Sequence, residues 1–196
     1  TKTYDGTTAA DASQFHATLG NLVTGEESLV TATAAGAAYN DKNVAGASTV
    51  DYTGLALTGA GAGNYSIAST AQGAGTITQR ALTLGAVEAQ TKTYDGTTAA
   101  DASKFRATLG NTIAGDSVTA VATTATFNDK NVAAANRIDY TGVGLAGADA
   151  GNYSLAATTA QSAGTITRRT LTVDTVAEQT KTYDGTTAAD ASQFHA

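Results

Sequence analysis

The chain contains no cysteine, proline, methionine or tryptophan among its 196 residues. Without cysteine it forms neither a disulfide nor a thiolate-ligated metal site. Each folding unit must therefore be stabilised by its own apolar core and by its neighbours. No apolar run approaches the roughly 20 residues that a membrane-spanning helix needs. We therefore expect no membrane span in this segment.

Positive charge is also scarce. The chain has 11 Lys and Arg against 17 Asp and Glu, which gives a formal net charge of −6. The basic residues form no patch or run, which argues against nucleic acid as a partner. Thr and Ala instead make up about two-fifths of the chain, well above ordinary usage.

The most informative feature present is repetition. The segment Thr1–Ala17 recurs unchanged at Thr180–Ala196, and a nearly identical copy starts at Thr91. A catalytic site is normally built once, so a unit copied head to tail predicts a spacer, a stalk or a multivalent surface rather than an enzyme. We also expect this chain to be a window from a longer array. The predicted copies are 1–90, 91–179 and the start of a third at 180–196.

The structural boundaries are expected elsewhere than at the start of each copy. Two apolar-alternating segments, Ala81–Leu84 and Thr170–Val173, lie about ten residues before a YDG motif and need a partner sheet. They are expected to open the next domain, which puts the boundaries near residues 80 and 168. This hypothesis also allows one chain to complete another by strand addition.

Fold class follows from composition. Thr, Val, Ile and Tyr dominate the ordered-looking stretches, with Gly, Asn and Asp between them, which is typical of strands and turns. About seven short strands in some 90 residues predict tandem immunoglobulin-like β-sandwich repeats, an all-β fold. The Ala-rich segments Thr7–Leu19 and Thr97–Leu109 have room for at most a turn or two of helix. β-grasp-like repeats stay open as the alternative, in which such a segment is the helix.

Four tyrosines are predicted to be structural. The segment Asp149–Leu155 has the D-x-G-x-Y pattern in which an immunoglobulin-like domain places a tyrosine whose hydroxyl binds backbone. We therefore predict that Tyr153 and its counterpart Tyr65 are buried, each with its hydroxyl on a backbone group. The tyrosines of the YDG motifs, Tyr4 and Tyr94, are predicted to be structural as well.

Candidate chemistry is sparse. Asn40–Asn43 and Asn128–Asn131 present oxygen ligands, so Asp41 and Asp129 are weak calcium candidates, as are Asp11 and Asp101. Each cluster holds one carboxylate and a lysine, and a turn closed by Asx hydrogen bonds is the alternative. No other cofactor is predicted. The candidate carboxylates are Asp11, Asp41, Asp101 and Asp129.

Two further side-chain sets are candidates for chemistry. An intramolecular isopeptide bond needs a lysine beside an asparagine, and Lys2 and Lys92 with Asn64 and Asn152 stand at equivalent positions. A salt bridge or an exposed lysine is the alternative. The two histidines, His16 and His195, occupy one position in two copies, and Arg106 replaces them in the middle copy. A catalytic or metal-binding role for histidine is therefore not expected.

Four sequence motifs occur in order in both copies: TKTYDGTT, NDKNV, AGNYS and a join similar to AGTITRRTLTV. They resemble the YDG-type repeats of very large secreted bacterial adhesins, the haemagglutinin-like exoproteins. The resemblance covers both copies and the partial third. It implies an extracellular or cell-surface location and a stalk or biofilm-matrix fibre whose partners are neighbouring repeats.

The rival reading is a multivalent module in which each copy binds a glycan or surface weakly and repetition supplies avidity. An exposed aromatic pair at matching positions would favour it, because sugars stack on aromatic faces. The candidates are Tyr52 with Tyr140 and Tyr39 with Phe127.

Overall fold

The computed structural model describes residues 1–193. Within them the chain is all-β, and its helical segments are single 3-10 turns of three residues. The predicted all-β, sandwich-like fold is confirmed. No helix among the described residues is long and apolar enough to cross a membrane.

The first strand set covers residues 2–78. An antiparallel sheet has the order β3-β4-β6, β2 pairs with β5 antiparallel, and β1 pairs with β7 parallel. The strands are β1 Lys2–Thr3, β2 Thr31–Thr33, β3 Gly36–Tyr39, β4 Thr49–Thr53, β5 Ala56–Thr58, β6 Thr70–Ala74 and β7 Ile77–Thr78.

The second strand set covers residues 80–167. One sheet has the order β12-β13-β16-β9, another has the order β10-β8-β15, and β11 pairs with β14. The strands are β8 Arg80–Val87, β9 Gln90–Thr93, β10 Ala107–Gly110, β11 Thr119–Val121, β12 Thr124–Phe127, β13 Arg137–Thr141, β14 Gly144–Ala146, β15 Tyr153–Leu155 and β16 Thr159–Thr167.

Strands β8 and β9 are consecutive but belong to different sheets of the second set. Strand β8 runs antiparallel to β10 and parallel to β15, whereas β9 runs parallel to β16. One stretch of chain therefore borders both layers, and the core lies between them. Domain limits near residues 80 and 168 stay a prediction.

The core of the second set follows from strand alternation. Along β13, Ile138 and Tyr140 point inward and are almost fully buried, while their neighbours are more exposed. The Phe105 ring meets the Tyr140 ring edge-on at 4.8 Å. Burial of each such side chain contributes about 1.5–3 kcal/mol relative to exposure.

One glycine is fixed by this packing. A Cβ on Gly164 would lie 2.6 Å from Cγ1 of Ile138 and 2.8 Å from Cε1 of Phe127. Its counterpart Gly75 faces Val50 at 2.5 Å in the same way. The glycine of the AGTIT motif therefore lets the last strand lie directly over the core.

The Ala-rich segments do not form the helix that a β-grasp repeat needs. The helical part of each segment is a single 3-10 turn, at Ala12–Gln14 and at Ala102–Lys104. The turns begin after Asp11 and Asp101, whose carboxylates accept the backbone N–H of the second residue of each turn. The other 3-10 turns are Ala62–Asn64, Ala150–Asn152 and Ala191–Gln193.

Candidate functional site: the contact between the two strand sets

The YDG loop, residues 1–9, closes around one ammonium group. Lys2 Nζ donates to Asp5 Oδ1 at 2.7 Å, to the Thr7 carbonyl at 2.7 Å and to the Ala9 carbonyl at 3.0 Å. Asp5 Oδ1 also accepts the Thr7 N–H at 2.9 Å. These are short-range bonds, so the motif organises its own loop.

The same loop forms in the other copies. Lys92 Nζ lies 2.8 Å from Asp95 Oδ1, and Lys181 Nζ lies 2.9 Å from Asp184 Oδ1. The hydrogen bond from Lys92, with further bonds from Thr97, lowers the pKa of Asp95 to about 2. The carboxylate therefore stays ionised over the whole neutral and mildly acidic range.

The loop carries Tyr4 into contact with the second strand set. Tyr4 is fully buried, and its ring meets the Tyr153 ring edge-on at 5.4 Å. Its hydroxyl donates to Asp116 Oδ2 at 2.9 Å. The Tyr153 hydroxyl donates to the same oxygen at 2.5 Å and accepts the Ile113 N–H at 3.0 Å. We call Tyr4, Ile113, Asp116 and Tyr153 the tyrosine junction.

Electrostatics at the tyrosine junction favour neutral phenols. Burial, and next the hydrogen bond to Asp116, raise the pKa of Tyr4. Burial and the same carboxylate raise the pKa of Tyr153 as well. Both hydroxyls thus keep their protons and serve as donors, which is the arrangement that a shared carboxylate requires.

A second contact joins two further motifs. Asn152 is buried, and its Oδ1 accepts the Val44 N–H at 2.9 Å. Its Nδ2 donates to Asn43 Oδ1 at 2.9 Å. We call Asn43, Val44 and Asn152 the asparagine contact. The NDKN loop of one copy thereby binds the AGNY segment of the next.

Arg80 lies in the join between the two copies and binds Asn111 of the second copy. Its Nε donates to the Asn111 carbonyl at 2.8 Å, and its Nη2 donates to Asn111 Oδ1 at 2.6 Å. Asn111 adopts a positive φ of 73°, a conformation that asparagine tolerates better than most residues. All four repeated motifs therefore meet at one contact.

This contact has an apolar core of its own. A single buried cluster contains Tyr4, Val50 and Ile77 from the first set together with Leu82 and Tyr153 from the second. The two strand sets therefore share buried surface, and separating them would expose it to water.

The first strand set contains counterparts of residues in the tyrosine junction. Among the described residues no neighbouring copy packs on these counterparts. The Tyr65 hydroxyl donates to Glu26 at 2.5 Å and accepts the Val23 N–H at 3.1 Å, as Tyr153 does with Asp116 and Ile113. Tyr65 is only half-buried, although burial was expected, and Val23 is exposed. The reason is that no ring covers Tyr65 as Tyr4 covers Tyr153.

At the other end of the second set, Tyr94 is half-buried and Val132, the counterpart of Val44, is partly exposed. The predicted structural tyrosines therefore stand in the same sequence motifs but differ in burial. Tyr4 and Tyr153 pack on each other across the contact, whereas Tyr65 and Tyr94 are half-buried. Sequence reasoning missed Asp116, although an acidic residue stands three positions after Val23 and after Ile113 in the two copies.

The carboxylates named as calcium candidates in the NDKN motifs accept backbone hydrogen bonds within turns. Asp41 Oδ1 accepts the Asn43 N–H at 2.7 Å, and Asp129 Oδ1 accepts the Asn131 N–H at 2.7 Å. Among residues 1–193 no three His, Asp or Glu side chains are grouped as a metal site. The NDKN motif reads as an Asx turn that presents its last asparagine to the neighbouring copy.

The isopeptide candidates lie in separate networks. The hydrogen bonds of Lys92 go to Asp95 and to Thr97 and Ala99 of its own loop, and those of Asn152 go to the asparagine contact. His16 is exposed with Nδ1 3.0 Å from the Gln14 carbonyl, and His195 lies outside the described residues.

The aromatic candidates for glycan stacking pack inside the sheets. Tyr39, Phe127 and Tyr140 are buried, and Tyr52 packs against the Phe15 ring at 4.8 Å. These rings therefore offer no open aromatic pair for a sugar in this structure.

Comparison with known proteins gives a family match in each of the two copies. A family model described as YDG domain matches residues 1–72 and 78–160. The comparisons with curated proteins and with solved structures found no match.

Proposed function

The chain belongs to the YDG domain family, and from this membership and the contact described above we propose that it is a structural repeat of a secreted bacterial surface adhesin or biofilm-matrix fibre. It acts as a stalk or filament shaft, outside the cell, and has no catalytic role. Its partners are neighbouring repeats of the same chain.

The observation that carries this proposal is the buried cluster shared by the two strand sets. A flexible linker would let the sets reorient, whereas a shared core and hydrogen bonds from residues far apart in sequence hold one orientation. Orientation preserved from copy to copy gives a tandem array length and stiffness, and a binding part at its end is then held away from the cell.

Stiffness is tested by distance measurement between the two strand sets. Paired fluorophores or spin labels at exposed positions, one in each set, should give a single narrow distance distribution in the wild-type chain. Tyr4→Ala should broaden it, because it removes the ring that packs on Tyr153 and the hydroxyl that binds Asp116.

The matched control is Tyr94→Ala, which makes the same change at the same motif position; among residues 1–193 this ring packs on the core of its own set and not on a neighbouring copy. It should leave the distribution narrow. A wild-type distance distribution as broad as that of Tyr4→Ala would contradict the proposed shaft function, because the two strand sets would then not keep one orientation.

Location is tested on the producing cells. An antibody raised against this chain should label intact cells, and external protease should remove the signal. Labelling only after permeabilisation would contradict an extracellular shaft.

A further inference from the structure

Each YDG motif contains an aspartate followed directly by glycine. The pairs are Asp5-Gly6, Asp95-Gly96 and Asp184-Gly185, and the sequence has no other Asp-Gly dipeptide. Aspartate before glycine is chemically labile, because glycine has no side chain to hinder its backbone nitrogen from attacking the aspartate carboxyl group. The repeated motif therefore places one labile peptide unit in each copy.

The reaction of such a pair is an isomerisation that needs no reactant except water. In the middle copy the Gly96 nitrogen would attack Cγ of Asp95, a nitrogen–carbon bond would form, and the N–H proton and the carboxyl OH would leave as water. Water then opens the five-membered succinimide ring. Opening at the side-chain carbonyl restores aspartate, whereas opening at the backbone carbonyl gives isoaspartate, whose main chain runs through Cγ.

The loop geometry requires both members of the pair. Gly96 has a positive φ of 82°, a conformation in which a residue with a side chain is strained. Asp95 Oδ1 accepts hydrogen bonds from Lys92 Nζ at 2.8 Å, from the Thr97 N–H at 2.9 Å and from the Thr97 hydroxyl at 2.9 Å. Replacing either residue by a less labile one would therefore disturb the loop.

The same hydrogen bonds hold the Asp95 carboxylate away from the reaction. The bond from the Thr97 N–H directs Oδ1 to the nitrogen one residue beyond Gly96, which closes an Asx turn instead of a succinimide ring. Attack also needs a protonated carboxyl group, because an ionised carboxylate has no OH to release. Since the pKa of Asp95 is about 2 instead of 3.8, its protonated fraction at pH 7 is roughly sixtyfold smaller.

Lys92 is held firmly beside Asp95. Its ammonium group also donates to the Thr97 and Ala99 carbonyls, both at 2.9 Å, and lies 5.4 Å from the centre of the Phe127 ring. The side chain is only 18% exposed. A lysine with this many partners stays in place, so the carboxylate keeps its counter-charge.

The three copies share this arrangement although their surroundings differ. The distance from the lysine Nζ to the aspartate Oδ1 is 2.7 Å at Lys2, 2.8 Å at Lys92 and 2.9 Å at Lys181. Tyr4 is buried and Tyr183 is exposed, so the loop forms with or without a packed tyrosine. The arrangement is therefore a property of the motif itself.

We propose that the Asp-Gly pair of each YDG motif is a site of isoaspartate formation, and that the motif lysine suppresses this reaction in the folded chain. Unfolding of the loop or loss of the lysine releases the carboxylate, and isomerisation then follows. Suppression of the reaction does not depend on the shaft function, because the loop alone produces it.

Isomerisation would have a structural consequence. Isoaspartate adds one carbon to the main chain and moves the carboxylate, so the hydrogen bonds that close the loop are lost. In the first copy that loop carries Tyr4 into the tyrosine junction. Isomerised Asp5 would therefore weaken the contact between the two strand sets.

Slow ageing of the 196-residue chain at pH 7, well below its melting temperature, tests the proposal. Isoaspartate is quantified by methyltransferase labelling and by mass spectrometry of tryptic peptides, which carry the three pairs separately. It should form slowly at all three pairs of the folded wild type, and at least about tenfold faster once the chain is unfolded in guanidinium. Equal rates in the folded and unfolded chain would overturn the proposal.

Lys92→Met tests whether the lysine is the cause. Isoaspartate at Asp95 should form at least about tenfold faster than in the wild type, because its carboxyl group loses the ammonium partner. Asp5 and Asp184 of the same molecules should keep the wild-type rate, since their own lysines are intact. They serve as internal controls. An unchanged rate at Asp95 would overturn the role of Lys92.

Gly164→Ala separates the effect of the lysine from a general loss of stability. This change should destabilise the same strand set at its core, where a Cβ would lie 2.6 Å from Ile138, and it leaves the loop residues unaltered. Aged beside Lys92→Met, with circular dichroism showing both variants folded, it should keep Asp95 near the wild-type rate. Equal acceleration by both variants would show that the stability of the set protects the pair, and would overturn the proposal.

Discussion

Asp116 accepts hydrogen bonds from two tyrosine hydroxyls that come from different strand sets. Bonds to an ionised acceptor are shorter and stronger than bonds between neutral groups. Here both donors are buried, so losing the acceptor would leave hydroxyls without a partner away from water. One carboxylate therefore couples the position of the YDG loop to that of the AGNY segment.

Tyr153 should be the more sensitive of the two AGNY tyrosines. Tyr153→Ala removes a buried ring and should lower the free energy of unfolding by about 3–5 kcal/mol. Tyr153→Phe keeps the ring and loses the hydroxyl bonds, at about 0.5–1.5 kcal/mol. Urea denaturation measures both.

The matched control for this prediction is Tyr65→Ala. Its ring is half-buried, and within the described part of the chain no second ring covers it, so the loss should be clearly smaller. Equal losses at the two positions would show that the tyrosine junction adds nothing to the stability of Tyr153.

The YDG loop should give stability a dependence on acid pH. The pKa of Asp95 is lowered to about 2 in the folded chain, chiefly by Lys92, below its ordinary value of 3.8. A group whose pKa is lowered on folding stabilises the fold above the unfolded pKa, and this stabilisation is lost as pH falls. The loss should occur between about pH 4 and pH 2.

Thermal unfolding across this pH range measures the effect. Asp95→Asn should lower the melting temperature at neutral pH, and its curve should converge with that of wild type near pH 2. Lys92→Met should remove most of the same dependence, because it removes the main cause. Parallel curves for wild type and Asp95→Asn down to pH 2 would contradict the predicted loss of stabilisation by Asp95 at acid pH.

At the scale of elements, the backbone of each set passes closest to its core at a residue without a side chain. Strand β16 crosses the core at Gly164, and β6 ends at Ala74 beside Gly75, which crosses in the same way. Close approach of backbone to core side chains is what lets each sheet stay packed without a void.

Gly164→Ala should destabilise the second set. The added methyl group would lie 2.6 Å from Ile138, and moving that buried side chain should cost about 1–3 kcal/mol. The control is Gly144→Ala on β14, where a Cβ meets no atom within 4 Å. Urea denaturation measures the free energy of unfolding of both variants. Equal stability of the two would show that the core side chains around Gly164 move aside at little cost in free energy.

At the scale of the whole molecule, the strand pairing divides between Thr78 and Arg80, although the copies begin at Thr91. The chain segment that follows the first set is the first strand of the second. This junction is therefore covalent, apolar and hydrogen-bonded at once.

Limited proteolysis tests the predicted boundaries. Trypsin should cut first at Arg168 and Arg169, which are exposed and lie outside the strands. Arg80 should be cut later, because it lies in β8 and binds Asn111. Fragment masses over time measure the order. Early cleavage confined to Lys92, beside the start of the second copy, would place the boundary at the motif instead.

Short-range structure was determined by the sequence alone. The YDG loop and the Asx turn of the NDKN motif both rest on bonds within a few residues, for example Asp41 to Asn43. The resemblance to YDG repeats is confirmed by the family match. Such local geometry forms wherever the motif stands, because its partners lie on the same short loop.

The third copy separates local from tertiary effects. Lys181 binds Asp184, Thr186 and Ala188 as Lys2 binds its own loop. Yet Tyr183 is 93% exposed, whereas Tyr4 in the identical motif is fully buried.

Only the tertiary structure decided which tyrosine is covered and which asparagine is bound. Asn152 meets Val44 across 108 residues of sequence. A contact of that span depends on the accumulated twist and pairing of many strands, and no motif encodes it locally. The sequence therefore determined the parts of the contact, and the packing of one copy on the next determined their burial.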